Sequence, residues 1–303
     1  MLKHVVRRLV ARATTKALRV AGLPGQLAKL EAAQRHAAIR QLSSEFASLM
    51  GEGAWRQPLH QFESKVYSQH GEDGIILHIL SVIGATDRRF IEFGVEDGLE
   101  CNTANLSLNF GWSGLLLECD EPMVRRARKN YIDRLGNRAK RVTITQAFIT
   151  ADNINDEISR RGFEGTIDLL SLDIDGNDYW VWKAITVIRP RVVVIEYNSS
   201  FGPVRSLTVR YDPGFSRYRK HSSGLYYGAS LAALTKLAAE KGYLLAGCDS
   251  SGVNAFYVLR DAAAGRIDEV SVEDAFVPQF DRIVERTLDQ QYALIKHLSF
   301  DEI

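Results

Sequence analysis

From Arg89 onward, short apolar runs alternate with amphipathic stretches. Runs at 89–93, 114–118, 141–146, 167–172 and 192–197 read as strands, and the stretches near 102–110, 122–132, 152–160 and 177–187 read as helices between them. Near-continuous apolar strands separated by helices predict a parallel sheet covered on both faces. A helix over 75–83 precedes the first strand. After a helix from Gly228 to Lys241, the runs Tyr243–Gly247 and Asn254–Leu259 flank Asp249-Ser250-Ser251-Gly252, a turn cluster that predicts an antiparallel pair. The plan is an α/β domain of five parallel strands closed by that pair, with one further helical stretch at 278–297.

Ahead of this domain the pattern changes. Lys3, Arg7, Arg8, Arg12, Lys16 and Arg19 interleave with Leu2, Val5, Val6, Leu9, Val10, Leu18 and Val20, with no acid before Glu31. On a helix this is a basic amphipathic segment. Residues 1–22 are therefore a candidate for peripheral contact with anionic lipid. The same apolar stripe equally suits a helix packed on its own domain or on a second subunit, so a homo-oligomer stays open. Gly22-Leu23-Pro24-Gly25 breaks this helix, and Leu27 to Met50 reads as a second one. The expected division is a helical extension over 1–60, an α/β domain over 61–262 and a helical tail over 263–303.

Composition narrows the class. The 303 residues are 46% hydrophobic and 25% charged, with a net charge of +1, so no global field argues for nucleic acid and no RNA-recognition signature occurs. Cys101, Cys119 and Cys248 are three cysteines at wide spacing, which read as buried residues of a reducing compartment. There is no apolar run long enough to span a bilayer and no signal-peptide core. The expected location is cytoplasmic, with the inner face of the membrane as a variant.

The most informative stretch is Phe90-Ile91-Glu92-Phe93-Gly94-Val95-Glu96-Asp97-Gly98, a strand ending in a glycine-bracketed acidic turn, with the next strand closing on Glu118. Strand, glycine turn, helix and acidic strand end describe a nucleoside pocket, the acid accepting from the ribose hydroxyls. The turn lacks the G-x-G-x-x-G phosphate cradle, and Glu92, Glu96, Asp97 and Glu100 would repel a pyrophosphate, which argues against a nicotinamide dinucleotide. A nucleoside carrying positive charge fits, and S-adenosylmethionine is such a molecule.

These residues resemble the class I S-adenosylmethionine-dependent methyltransferases, and more narrowly the FkbM-type and macrocin-type O-methyltransferases. Over residues 65–260 the resemblance rests on Ser68-Gln69-His70-Gly71-Glu72-Asp73, Glu92-Phe93-Gly94 with Asp97-Gly98, Leu117-Glu118, Asp173 to Asp178, and Val194-Ile195-Glu196-Tyr197-Asn198. It implies a Rossmann-like seven-stranded sheet of order 3-2-1-4-5-7-6, the last strand antiparallel, with the cofactor over the C-terminal ends of strands one to four. It further implies that Glu92, Gly94 and Asp173 line the methionine half and that Glu118 holds the ribose. Phe148 would border the adenine, unless it is a core side chain, and Gln69, Asp73, Asp97, Gly98 and Asn102 would shape the pocket.

At strand four, many FkbM-type sequences carry Lys-Ile-Asp-x-Glu-Gly, whereas this chain has Leu172-Asp173-Ile174-Asp175-Gly176-Asn177-Asp178. By the two-residue period of a strand, Asp173 and Asp175 share one side of strand four, and Glu196 and Asn198 share one side of strand five. Four oxygen ligands at neighbouring strand tips predict a site for a divalent metal such as Mg²⁺ or Mn²⁺. That resembles the catechol-type and macrocin-type enzymes. Asp178 also suits a first helical turn and Asn177 its cap. A metal-free variant stays open, with Asp175 bonding the substrate hydroxyl.

Residues 199–227 form a long connection rich in Arg, Lys and aromatic residues, where such folds place substrate loops. Its rings suit a sugar face, so the expected acceptor is a hydroxyl of a sugar, glycan or glycosylated small molecule rather than a nucleic acid. His221 is the candidate general base in this loop, beside the catalytic candidates Asp173 and Asp175. Two other readings remain: a catalytically silent cofactor-fold scaffold in a membrane-associated glycan-assembly complex, and a metal-dependent hydrolase.

Overall fold

The computed structural model describes Ala37 and residues 58–303; the basic segment 1–22 and the second helix expected from Leu27 to Met50 lie outside the described residues, Ala37 apart. Among the described residues no helix is long and apolar enough to cross a membrane.

Five strands run parallel: β1 (Arg89–Phe93), β2 (Ser113–Glu118), β3 (Val142–Gln146), β4 (Gly165–Leu172) and β5 (Ile188–Glu196). Two short strands, β6 (Leu207–Val209) and β9 (Phe300–Glu302), pair with each other outside this sheet, while β8 (Asn254–Leu259) pairs antiparallel with both β5 and β7 (Tyr243–Cys248). The seven-stranded order is β3-β2-β1-β4-β5-β8-β7. Leaving β6 aside, this is the expected 3-2-1-4-5-7-6 arrangement with its last strand antiparallel, the Rossmann-like methyltransferase sheet. The central strands are buried over most of their length, and Leu115, Leu116, Leu169, Leu170 and Val192 to Ile195 have no exposed surface, as helices on both faces require.

The helices follow the apolar spacing. They are α1 (Glu72–Ile83), α2 (Ala104–Asn109), α3 (Glu121–Leu135), α4 (Ile154–Ser159), α5 (Asp178–Ala184) and α6 (Leu231–Glu240). In α3, Val124, Ala127 and Tyr131 are the buried positions, one stripe of a helix whose other faces are charged. The Ser230 hydroxyl accepts from the Ala233 N–H and fixes the start of α6.

Three details depart from the sequence reading. β5 starts at Ile188, ahead of the expected Val192, because Pro190 needs no ladder donor there: β8 pairs with β5 only from Val192 onward. The helical stretch at 278–297 is split into Phe280–Ile283 and α7 (Leu288–Ala293), since the Thr287 capping box starts a new helix. The β6–β9 pair, too short to leave a pattern, roofs a second apolar cluster of Phe201, Leu207, Val209, Leu225, Tyr226 and Ile295.

Because β1 lies between β2 and β4, the chain departs in opposite directions from its two sides, and a crevice opens beyond the C-terminal ends of these strands. The positions that sequence and resemblance single out converge there.

Candidate active site

A cavity of about 320 Å³ occupies that crevice. Gly94, just past β1, has φ +73°, and a Cβ there would stand 1.8 Å from the Asp173 carbonyl oxygen. Only glycine lets the tips of β1 and β4 approach this closely. Glu92 is buried, its carboxylate accepting from the Asn102 and Thr103 N–H groups at 2.8 and 2.9 Å and from the Thr103 and Ser171 hydroxyls. Burial raises its pKa against those bonds. Glu118 closes β2, with one oxygen accepting from the Glu96 N–H at 2.8 Å and the other from Asp120 N–H at 2.9 Å. Each oxygen keeps a lone pair for a ligand, so the carboxylate is aimed rather than consumed. Phe148 is 56% exposed and lines the cavity beside Ala147 and Ile149, which excludes a core role.

Gln69, Glu72 and Asn254 close the opposite wall. The Asn254 amide donates to Glu72 at 2.9 Å, tying β8 to the start of α1. Counting Glu72, Glu92, Glu96, Glu100, Glu118, Asp173 and Asp175, seven acids line the cavity, and among the described residues the lining contains no Lys, Arg or His.

At the far end, Asp173, Asp175 and Glu196 offer carboxylate oxygens within 4.8 Å of one another. A turn, not the strand period, makes this possible. β4 ends at Leu172, and the buried Asp178 carboxylate accepts from the Ile174 N–H at 2.9 Å and the Gly176 N–H at 3.0 Å. That clamp holds Asp175 at φ +57°, a left-handed conformation rare for a residue with a side chain. Although the Asp173 side chain is exposed to the cavity, desolvation by the surrounding protein raises its pKa to about 7, and Asp178 and Asp175 add to the shift. Burial and the same acids push Glu196 well above the carboxylate range, and its Oε2 is buried without a partner. Buried Asp168, by contrast, is satisfied by the Thr86, Asp87 and Arg88 N–H groups and by Arg191.

The loop after β5 folds onto this end. Arg217 donates to Asp175 at 2.7 Å and stacks over Tyr227 at 3.8 Å. Phe215 packs where a Cβ of Gly176 would be and lines the cavity, while the Asn177 amide donates to the Asp212 carbonyl at 2.8 Å.

Several expected site residues are used otherwise. Asn198 cannot serve as a metal ligand as it stands: past Glu196 the chain leaves the sheet, so the strand period no longer applies. Its Oδ1 caps the Ser200 N–H, and its amide nitrogen donates to the Leu225 and Tyr227 carbonyls. His221 bonds Ser223 and lies against His297 at 5.9 Å, outside the cavity lining. Asp73 organises the backbone before α1, accepting from the Val66, Tyr67 and Ser68 N–H groups. Asp97 accepts from the Leu99 N–H, and Gly98 packs against Ala127 and Tyr131 of α3. Gln69, Glu92, Gly94, Asn102, Glu118, Phe148, Asp173 and Asp175 do meet around one cavity. The sequence reading missed Arg217 as a partner of Asp175, Phe215 as a lining ring and Glu72 as a wall. A cation of the loop cannot be matched to an acid some forty positions away without the fold.

No protein-family model and no curated protein sequence matches the chain. Among solved structures it is similar to an O-methyltransferase from Bacillus cereus in complex with SAH, at 18% identity over 73% of this chain and 89% of that one, TM-score 0.39. It is also similar to the methyltransferase domain of bacterial CtHen1-C, at 17% identity over 62% and 96%, TM-score 0.40. A third is the N-terminal domain of EvdMO1 in the presence of SAH and D-fucose, at 16% identity over 76% and 97%, TM-score 0.40. Likeness at this level carries no functional argument, and the reading that follows stands on the site itself.

Proposed function

We propose that the chain is an S-adenosylmethionine-dependent O-methyltransferase that methylates a hydroxyl of a sugar, glycan or glycosylated small molecule, aided by a divalent cation. The observation that carries this reading is a cavity at the sheet's switch point lined by seven acids and, among the described residues, no base. Such a lining rejects phosphates and favours a cationic nucleoside. The residues fit that cofactor: Glu118 is held ready for a ribose, the exposed Phe148 ring offers an apolar face for a base, and Glu92 and Gly94 shape the narrow end.

The acid cluster fits a divalent cation for a separate reason, the unpartnered Oε2 of Glu196 beside two further carboxylates. Asp173, Asp175 and Glu196 would hold the ion. S-adenosylmethionine supplies the methyl group, and the cation supplies Lewis acidity at the acceptor oxygen. The protein's own part is positioning and proton transfer. Orienting the two partners contributes about 7–11 kcal/mol to lowering such a barrier. The hydroxyl proton leaves to a carboxylate of the cavity that does not hold the ion, in place of His221, which stands against His297. Arg217 keeps Asp175 in place, and Phe215 gives the acceptor a ring to rest on.

In this reading residues 61–262 are the catalytic domain, 1–60 the extension that meets membrane or a second subunit, and 263–303 the tail supporting the acceptor loop. The test is calorimetric titration with S-adenosylhomocysteine, with and without Mg²⁺ or Mn²⁺, on the wild type and on Glu118→Ala. Micromolar binding that disappears in the variant is expected. No binding by the wild type under any condition would overturn the reading.

A further inference from the structure

Three carboxylates make an incomplete shell for a divalent ion, which takes six or more oxygens and draws some of them from neutral amides, carbonyls and water. Asn198 is spent on loop carbonyls and a cap. A second amide stands at this end of the cavity. Asn177 follows Asp175 by two residues on the turn that Asp178 clamps, lines the same cavity as Asp173 and Asp175, and is 5% exposed.

Its orientation is fixed by chemistry. Nδ2 donates to the Asp212 carbonyl oxygen at 2.8 Å, and the flipped amide would set Oδ1 against that oxygen, acceptor against acceptor. Oδ1 is therefore directed away from Asp212, and it is buried with no partner. A buried acceptor left unsatisfied costs about 1–3 kcal/mol, which a donor or a cation would relieve. The acids of the neighbouring strand tips, Asp173, Asp175 and Glu196, are acceptors as well, and the guanidinium at the cluster, Arg217, is already paired with Asp175. The charges agree in sign: Asp173, Asp175, Glu196 and the buried Asp178 outnumber Arg217, and a neutral amide adds no further negative charge.

We propose that Asn177 Oδ1 is the neutral oxygen ligand of a divalent cation held by Asp173, Asp175 and Glu196. The inference rests on the cation reading of the acid cluster. It also gives the acceptor loop a second task, because the Asp212 carbonyl turns the ligand oxygen toward the ion.

The test uses the full chain and Mn²⁺ alone, followed by electron paramagnetic resonance and calorimetry, with S-adenosylhomocysteine affinity as the check on the rest of the cavity. Asn177→Leu is expected to weaken Mn²⁺ binding about tenfold or more, the scale at which even outer-shell partners act, with S-adenosylhomocysteine affinity unchanged. Asn177→Asp, which adds a charge, is expected to tighten Mn²⁺ and serves if the leucine variant does not fold. If wild type binds Mn²⁺, Asp173→Asn abolishes binding, and both Asn177 variants match wild type, the assignment falls while the cation site stands. If wild type binds no Mn²⁺ at millimolar concentration, both fall.

Discussion

A Cβ at position 176 would stand 2.2 Å from Cδ1 and 2.6 Å from Cε1 of Phe215, and the backbone there is not in the left-handed region, so Gly176→Ala is a purely steric perturbation. To restore an ordinary 3.4 Å contact the ring must retreat by about 1.2 Å. That movement pulls Phe215 off the cluster of Phe201, Leu207, Val209 and Tyr226. Overpacking of this size costs about 1–3 kcal/mol. Phe215→Ala alone removes a partly buried ring and is expected to cost about 2 kcal/mol, less than a fully buried phenylalanine. Once the ring is gone the methyl of Gly176→Ala has room, and it stabilises by about 0.4–1 kcal/mol through the unfolded chain. The two substitutions should therefore couple by about 1.4–4 kcal/mol, the overpacking cost relieved plus the gain. Urea denaturation of the four proteins measures this, and trypsin cleavage at Arg217 and Arg219 reports the loop directly. Additivity within about 0.5 kcal/mol would refute the claim that the β4 turn and the acceptor loop are packed as one unit.

Gly94→Ala, at φ +73° and 1.8 Å from a backbone oxygen, should separate the tips of β1 and β4 and abolish S-adenosylhomocysteine binding, with more than about 2 kcal/mol of stability lost; calorimetry and thermal denaturation check both. Mn²⁺ affinity should weaken by more than about tenfold per pH unit below about 7, because the raised Asp173 and the raised Glu196 must both lose protons before they can ligate; equal dissociation constants at pH 6 and pH 8 would contradict this. Arg217→Ala should move that break upward, since the guanidinium holds Asp173 down, and a pH series of Mn²⁺ titrations reads it. Buried Asp73, raised by burial to about 6 from 3.8, contributes stability that is present below about pH 4 and lost as pH rises through 6. The shift corresponds to roughly 3 kcal/mol, so Asp73→Asn should gain on wild type in urea denaturation between pH 4 and pH 8.

How much of this was legible in the sequence depends on the distance over which each feature is encoded. The sheet was readable because each strand is an apolar run such as Leu115-Leu116-Leu117, bounded by turn residues within a few positions. Its strand order came from resemblance. Glu92, Gly94 and Glu118 could be assigned because a βαβ unit is local. Asp173 and Asp175 were paired for the wrong geometric reason: the strand stops at Leu172, and Asp178, taken as an ordinary helix-start acid, bends the turn that joins them. Asn198 and His221 had the right chemistry and the wrong surroundings, since their partners Leu225, Tyr227 and His297 depend on loop packing. Arg217 is the clearest omission, one of several cations in its loop until the fold sets it on Tyr227.

The pairing of β6 with β9 bears on the order in which the two halves of the cavity come into being. The cofactor half is built from β1, β2 and β4, each paired along its length in the central sheet, and the turns after them. The acceptor half is braced by Leu207 against Glu302 and Val209 against Phe300, contacts between residues more than ninety positions apart. Closing so long a loop for a pair of three-residue strands gains few hydrogen bonds, so the acceptor floor belongs to the late phase of folding and to the weakly protected backbone in hydrogen exchange. On the function proposed above, a partly opened chain would bind its methyl donor before it could tell one acceptor from another. Selectivity is then the first property lost on mild heating and the last regained on refolding.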